Sequence, residues 1–353
     1  VSFKEILGFR KVKKKDVVAF TREIATLSKA GISLVRCLTS LRDQMPAGAF
    51  QTALGDIIDG IERGDSFSEA LSRHQAIFPQ LYVNMVRSGE LGGSLDVVLR
   101  RLATLLEKEE RLKKKVKSAL IYPAFVLSFA FIVVGLLMII VIPTFTKIFA
   151  ELGGELPAPT RFLIATSTMF KSYWYMVLGG MFIGFQLFRF LLKVPRIKYL
   201  VHKGILYVPV FGRLARNVSI NTFTRTLGTL LNSGVTIINA LQIVQSTQGN
   251  LVYADVVPDM IRSVKEGEQL SHIIEETKLF PNLALKLIGV GEETGELSEM
   301  LLQVADNYEE EVDLLVSSLA SLLEPLLIII MGLIVGFIVI AMFLPLFNIG
   351  NMI

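Results

Sequence analysis

The stretch ALIYPAFVLSFAFIVVGLLMIIVI, Ala119 to Ile142, constrains this chain more than any other feature, because it runs without a single charged side chain. Wound as an α-helix it reaches about 36 Å, more than the roughly 30 Å of a bilayer's hydrocarbon core. Lipid offers no hydrogen bonds to a peptide, so such a segment must satisfy its own backbone as a helix. A second stretch, LEPLLIIIMGLIVGFIVIAMFL from Leu323 to Leu344, carries only Glu324 at its edge. A third, YWYMVLGGMFIGFQLFRFLL from Tyr173 to Leu192, meets Gln186 and Arg189 near its end, where an arginine can snorkel to the interface. The sequence therefore predicts three transmembrane helices. Composition fits: 52% of the 353 residues are hydrophobic and 19% charged, oilier than an ordinary soluble domain, with enough polar chain left for large parts outside the lipid.

Lysine and arginine placement sets the orientation. Arg100, Arg101, Lys108, Arg111, Lys113, Lys114, Lys115 and Lys117 precede the span at 119–142, and Lys193, Arg196, Lys198, Lys203, Arg213 and Arg216 follow the span at 173–192, the second in chain order. Only Lys147, Arg161 and Lys171 lie between the two. The expected order is a basic segment at 1–15, a cytoplasmic bundle at 16–118, spans at 119–142 and 173–192 joined by an extracytoplasmic loop at 143–172, a second cytoplasmic bundle at 193–322, the third span at 323–344 and an extracytoplasmic tail at 345–353. The leading VSFKEILGFRKVKKKD has no apolar run of the kind a signal peptide needs, so insertion is expected to rest on the internal spans.

The chain also repeats itself. FTREIATLSKAGISLVRCLTSL (Phe20–Leu41) aligns with FTRTLGTLLNSGVTIINALQIV (Phe223–Val244) at an offset of 203, with Phe20, Thr21, Arg22, Thr26, Leu27, Gly31 and Leu38 identical in both. ERGDSFSEAL continues against KEGEQLSHII, IFPQL against LFPNL, and RSGELGGSL against GVGEETGELS at an offset of 202. Tyr122-Pro123 corresponds to Glu324-Pro325, and IPTF to LPLF. The unit duplicated is a cytoplasmic bundle plus the span after it, and the second span returns the chain to the side where the second copy starts.

Each copy reads as about six short helices, and the fold class as all-α, with two homologous cytoplasmic bundles on a polytopic membrane protein. Phe20, Ile24, Leu27, Leu34, Leu38 and Leu41 recur at steps of three and four, with Gly31 completing the stripe between Leu27 and Leu34. Asp16 is an expected N-cap, Ser66 with Glu69 an expected capping box that the second copy lacks, Pro79 suits a first helical turn and Gly89 the helix end. Ser94 precedes a helix heading for the first span. The corners Gly89, Glu90, Gly93 and Gly291, Glu292, Gly295 admit two readings: turns whose carboxylates sit near helix N-termini, or charge presented to a partner.

Several chemistries find no support. No GxxxxGK[ST] loop is present, so nucleotide hydrolysis is not expected. Cys37 is the single cysteine, which forbids an internal disulfide, and His74, His202 and His272 are scattered. The acids Asp306, Glu309, Glu310, Glu311 and Asp313 form either a solvated helix face or an oxygen-rich cation site, the first being the expectation. No catalytic, metal or cofactor residue is nominated, and the net charge of +4 gives no footprint for nucleic acid. Pro123 and Pro325 are expected to bend their helices, Gly332 and Gly336 to permit close helix approach, and Lys113, Lys114, Lys115 and Lys117 to face anionic lipid or an acidic partner. Glu324 is either an interfacial acid or a polar contact, for the N-terminal amine or helix end of an incoming membrane protein or for another subunit.

Taken together, FTREIATLSKAGISL, FPQLYVNMVRSGELGGSL, FPNLALKLIGVGEETGEL and LEPLLIIIMGLIVGFIV resemble the type II secretion F family, over nearly the whole chain. The resemblance implies a non-enzymatic platform in the bacterial inner membrane, at the base of a type IV pilus or a secretion pseudopilus. It implies as partners a cytoplasmic hexameric assembly ATPase, with a retraction ATPase as a further candidate, pilin or pseudopilin subunits, other inner-membrane assembly proteins and further copies of the chain. Two rival classes remain. A small-solute transporter would share the internal repeat, but three spans and few intramembrane charges speak against a solute path. A membrane sensor would need an outer domain, and 143–172 is short for one.

Overall fold

A computed structural model describes residues 12–151 and 157–350, and every regular element among them is helical. The first copy comprises α1 (Lys14–Lys29), α2 (Leu34–Gln44), α3 (Ala49–Glu62), α4 (Phe67–Ser72) and α5 (Gln80–Leu91), then enters α6 (Leu95–Leu136). A π-helical turn, Leu137–Val141, leads into α7 (Ile142–Glu151), followed by α8 (Ala158–Leu191) and α9 (Pro195–Ile205). The second copy comprises α10 (Phe211–Asn232), α11 (Ile237–Thr247), α12 (Leu251–Asp255), α13 (Val257–Glu266), α14 (Leu270–Thr277) and α15 (Asn282–Thr294), and ends in α16 (Leu297–Gly350).

The copies match element by element with one break. Against the single helix α3 stand α12 and α13, divided just before Pro258, which lacks the N–H that an uninterrupted helix needs and occupies the first turn of α13 instead. The first copy thus has five short helices before its long one and the second has six. The offset falls from 203 to 202 in the connector before Phe78 and Phe280, where the second copy is one residue shorter.

Details of the capping differ from expectation. Asp16 is not the N-cap of α1; Lys13 is, and Asp16 sits in the first turn, accepting a 3.3 Å hydrogen bond from the Lys13 N–H. Pro79 precedes α5 as its N-cap rather than lying in its first turn. The Ser66–Glu69 box is present, each side chain bonding the other's backbone N–H at 3.2 Å, and Gln269 at the equivalent place makes no such bond.

The chain divides into two compact units, one of residues 1–114 with 201–313 and the other of 115–200 with 314–353. In the first, the two copies are not separate bundles. One apolar core runs through both, with the ring set Phe20, Phe50, Phe78 and Tyr82 in the first copy and Phe223, Tyr253 and Phe280 in the second. Phe20, Phe50 and Phe78 correspond by the repeat to Phe223, Tyr253 and Phe280.

In the second unit, α7 and the π-helical turn pack against α8. Pro143, whose nitrogen cannot donate, lies two residues past the end of that turn. Ile142, Leu163, Ile338 and Ala341 form a small core there, the Thr160 hydroxyl donates to the Ala341 carbonyl at 2.5 Å, and the Ser167 hydroxyl donates to the Met138 carbonyl. The stretch 143–172, expected as a loop, is helical as far as Glu151 and again from Ala158, and α16 continues to Gly350 through most of the expected tail. Residues 1–11, 152–156 and 351–353, which hold most of the expected basic segment and the end of the tail, lie outside the described residues.

Among the described residues two helical stretches are long and apolar enough to cross a membrane, within Leu95–Thr146 and at Leu327–Leu344, and only 11% and 17% of their most apolar windows is buried. A core helix of a soluble protein would be covered; here Phe125, Ile132, Leu333 and Ile340 stand exposed, as lipid-facing side chains do. The apolar part of α8 among the described residues is shorter, Phe182–Leu191.

Candidate functional site

The two glycine–glutamate corners resolve into the same device in both copies. Glu90 reaches from α5 to the start of α4 and accepts hydrogen bonds from the N–H groups of Phe67 (2.6 Å) and Ser68 (3.0 Å). Glu292 reaches from α15 to the start of α14 and does the same for Leu270 (2.5 Å) and Ser271 (2.8 Å). Each carboxylate uses both oxygens on N–H groups that a helix leaves without intrahelical partners, at the end where its dipole favours negative charge. The glutamates thus act as caps supplied by a neighbouring helix, with their charge turned into the fold.

The glycines around them differ in role. Gly89 does not end its helix, which continues to Leu91. A Cβ at Gly89 would sit 3.0 Å from Val98 Cβ and 3.2 Å from Leu95 Cα, and one at Gly291 would sit 2.9 Å from Leu297 Cα and 2.9 Å from Met300 Cβ. Glycine there lets α5 and α15 cross close to the starts of α6 and α16. Gly93 and Gly295 have φ of +65° and +79°, the left-handed backbone that suits glycine just past a helix end.

Sequence reasoning missed a charged joint beside these corners. Arg225, nearly buried with 7% of its side chain exposed, bonds Asp306 Oδ1 at 2.7 Å and Glu309 Oε2 at 2.7 Å. Lys108 of the first copy crosses to the same two carboxylates, at 2.6 Å from Asp306 and 3.3 Å from Glu309. Burial alone would raise the Asp306 carboxyl, but hydrogen bonds from Lys108 and Arg225 and their positive charge outweigh it and hold the group below its ordinary range. Two further bonds cross between copies: Ser88 Oγ donates to the Ser233 carbonyl at 2.6 Å, and the Arg101 guanidinium donates to the Asn232 carbonyl. A signal existed. Arg22 with Glu107 in the first copy, 3.5 Å apart, stands at the repeat positions of Arg225 with Glu309.

Of the acids considered for a cation, Asp306 and Glu309 face Arg225 and Lys108, and Glu311 accepts from Asn217 at 2.8 Å. Among the described residues no three His, Cys, Asp or Glu side chains gather as a metal site. Lys113, Lys114 and Lys117 are exposed and Lys115 half-exposed, with Lys114 3.9 Å from Glu110. Pro123 is buried within α6 and Pro325 exposed within α16, while the Glu324 side chain lies outside the described residues. Among the described residues a Cβ added at Gly332 or Gly336 would meet nothing within 4 Å, so neither glycine mediates a close approach there. Gly332 instead lines an apolar cleft of about 390 Å³ with Tyr122, Val126, Leu327, Ile328, Met331 and Val335.

These features define a class: an all-helical protein made from a duplicated helical unit, with an apolar helix of membrane-crossing length after each copy. The profile described as "Type II secretion system (T2SS), protein F" matches the chain twice, at residues 20–143 and 223–345, and the chain belongs to that family. It is 40% identical over 346 residues, 98% of this chain and 83% of the relative, to the type IV pilus assembly protein PilC of Myxococcus xanthus. It is 42% identical to the protein of the same name from Thermus thermophilus, covering 95% and 82% of the two chains. It is 31% identical to the type II secretion system protein F of Vibrio cholerae, covering 97% and 84%.

Proposed function

We propose that this chain is a non-enzymatic platform in the bacterial inner membrane, on which a type IV pilus or a type II secretion pseudopilus is assembled. The observation that carries the reading is the pairing of family membership with the helices α6 and α16, each of which begins in a bundle copy and continues without interruption into an apolar length fit for lipid. Such helices are struts: a displacement of their water-exposed ends moves the ends in the membrane. The chain crosses the bilayer three times, at 119–142, 173–192 and 323–344, with the N-terminus and both copies in the cytoplasm and the C-terminus outside. Lys113, Lys114, Lys115 and Lys117 lie at the cytoplasmic lipid surface, where anionic headgroups attract them.

In this reading the motion comes from a cytoplasmic assembly ATPase docking on the copies near Gly93 and Gly295, the exposed turns that follow the capping residues Glu90 and Glu292. A pilin or pseudopilin meets the apolar cleft lined by Tyr122 and Gly332, beside Pro123, and Gly336 and Glu324–Pro325 mark the adjoining stretch of α16. Deletion of the gene is expected to abolish filaments while the pilins accumulate in the inner membrane, with the purified chain altering the ATPase rate of its motor. Intact filaments in the deletion strain, together with a motor indifferent to the chain, overturn the platform. Orientation has a separate check: cysteines introduced at Gly93 and Gly295 are expected to resist a membrane-impermeant label in whole cells and to react after permeabilisation.

A further inference from the structure

The chain that leaves the apolar part of α8 is built unlike an ordinary surface connector. Over 193–216 it carries Lys193, Arg196, Lys198, Lys203, Arg213 and Arg216 and not one aspartate or glutamate. α9 fills much of that stretch, and its last turn is fixed to the second copy, where His202 Nδ1 accepts a hydrogen bond from the Leu251 N–H at 3.0 Å. Just past α9, Leu206 is buried in the shared core, but Tyr207 is 75% exposed, Val208 45% and Phe211 42%. Turns that face water are normally made of glycine, proline and short polar side chains, so three large apolar groups on one turn mark an interaction surface.

The turn is also held rigidly, through a strained backbone. Val210 has φ +67° and ψ −57°, a conformation that a β-branched residue avoids. The Phe211 N–H donates to the Pro209 carbonyl at 2.8 Å and closes a three-residue turn of the rare, strained kind. The Gly212 N–H donates to the Val208 carbonyl at 2.7 Å, and the Arg216 guanidinium donates to the Leu206 carbonyl at 3.0 Å. A Cβ on Gly212 would collide with that same Leu206 carbonyl, so only glycine lets the turn close. Strain of this kind persists where the surrounding structure over-determines it, and it gathers at binding sites. Its product here is a stiff turn with Leu206 buried and Tyr207, Val208 and Phe211 left in water.

We propose that the turn at 207–211 is a membrane foot, which seats its three apolar side chains in the headgroup layer of an anionic bilayer and so braces the second copy against the lipid surface. Charge and tether select this occupant. A segment with six cations and no acid is drawn to a negative surface, and its exposed Lys203 and Arg213 flank the apolar turn on either side in sequence. Tyrosine and phenylalanine between basic residues are the side chains that anchor a protein at the water–lipid boundary. The reach is short as well. α9, with 11 residues and about 16 Å long, is the one helix between the apolar part of α8 and the turn. With α9 along the surface, the foot stays at headgroup level. This inference rests on the placement of 173–192 in lipid in the platform reading, but not on filament assembly.

The test uses the full chain in lipid nanodiscs made of phosphatidylcholine alone or with added phosphatidylglycerol. Cys37 is fully buried, so an environment-sensitive fluorophore on Val208→Cys reports from the turn by itself. Exposed Ser40→Cys in α2 serves as the water-side control and Phe185→Cys in α8 as the lipid-side control. In anionic discs the label at position 208 is expected to shift to the blue and to be quenched by a spin label carried near the lipid headgroup, while the label at position 40 is quenched only by aqueous iodide. The lipid quenching is expected to fall in neutral discs, and to fall likewise in anionic discs when Lys203→Glu and Arg213→Glu are combined. Tyr207→Ser with Phe211→Ser is expected to abolish it while leaving the circular dichroism of the chain unchanged. Should the serine pair unfold the chain, the charge reversal, made on two exposed residues, decides alone. A label at position 208 as open to iodide as that at position 40 overturns the proposal. If the label at position 185 is then in lipid, the foot alone is wrong and the platform reading stands; if it too is in water, the span at 173–192 fails with the foot. Quenching indifferent to lipid charge and to the charge reversal also overturns the proposal. Protection that appears only on adding the assembly ATPase assigns the turn to a protein partner, and the membrane foot fails.

Discussion

Arg22 and Arg225 occupy the same position in the two copies, and each meets the glutamate at the matching position of the following long helix, Glu107 or Glu309. Yet Arg22 keeps 75% of its side chain in water and Arg225 only 7%. In the first copy the pair is a loose surface contact 3.5 Å long. In the second, a further carboxylate, Asp306, and a lysine from the other copy close over it. Duplication supplied the same two residues twice, and what covers them decides their worth. Charges left in water attract each other weakly, whereas a buried guanidinium without its carboxylates retains a desolvation cost that nothing offsets.

The contrast can be broken most directly at those arginines. Arg225→Ala is expected to destabilise the chain in detergent by about 3–5 kcal/mol, and Arg22→Ala by about 1 kcal/mol or less, both read from denaturant unfolding. Equal losses would make burial irrelevant and end the comparison. Next comes a packing difference: Gly228 in α10 stands where α1 has Ala25, and a Cβ on Gly228 would lie 3.0 Å from both Leu301 Cβ and the Ser298 carbonyl oxygen. Gly228→Ala should cost about 1–3 kcal/mol by forcing the crossing apart, against roughly 0.5–1 kcal/mol for Ala25→Gly.

The corner glutamates sharpen the comparison from the other side, because there the copies agree. Glu90→Ala and Glu292→Ala are each expected to cost about 0.5–2 kcal/mol, the range for a lost helix cap. Hydrogen exchange should show the loss at the starts of α4 and α14 respectively, and a clear inequality would mean that one corner carries more than a cap.

The smallest effect concerns acid. The Asp306 carboxyl is held below its ordinary range, so its contribution to the joint is present above the unfolded value of about 3.9 and fades as pH falls through the lower folded value. Proximity labelling between Lys108 and α16 should therefore weaken below about pH 4 in the wild type, and Asp306→Asn should show less of that acid sensitivity.

Much of this was legible in the residues themselves. The offsets of 203 and 202 place equivalent rings in equivalent cores, and the apolar runs at 119–142 and 323–344 announce helices fit for lipid because a period of polar residues is missing. Other features were hidden for physical reasons. The stretch before Tyr173 reads as a loop because prolines and polar residues crowd it, but Pro157 and Pro159 lie at the N-terminal boundary and first turn of α8, where a missing N–H costs nothing. The glutamate corners left two readings open, helix-end carboxylates or presented charge, because the N–H groups they cap lie 21 to 23 residues away in sequence. The part that Lys108 and Asp306 play in the joint around Arg225 was invisible for a stronger reason. Lys108 and Asp306 are 198 residues apart, and no spacing rule within one helix or one copy could pair them.

The π-helical turn at Leu137–Val141 leaves a lasting mark on everything beyond it. A π turn holds one residue more than the α-helix around it, and an extra residue swings the downstream face by about 100°. Ile142, branched at Cβ, therefore points at Leu163 and Ile338 only while that surplus residue is retained. Deleting Ile139 would smooth the helix and turn Ile142 away from its neighbours, so an apparent defect in the winding is what aims the final turns.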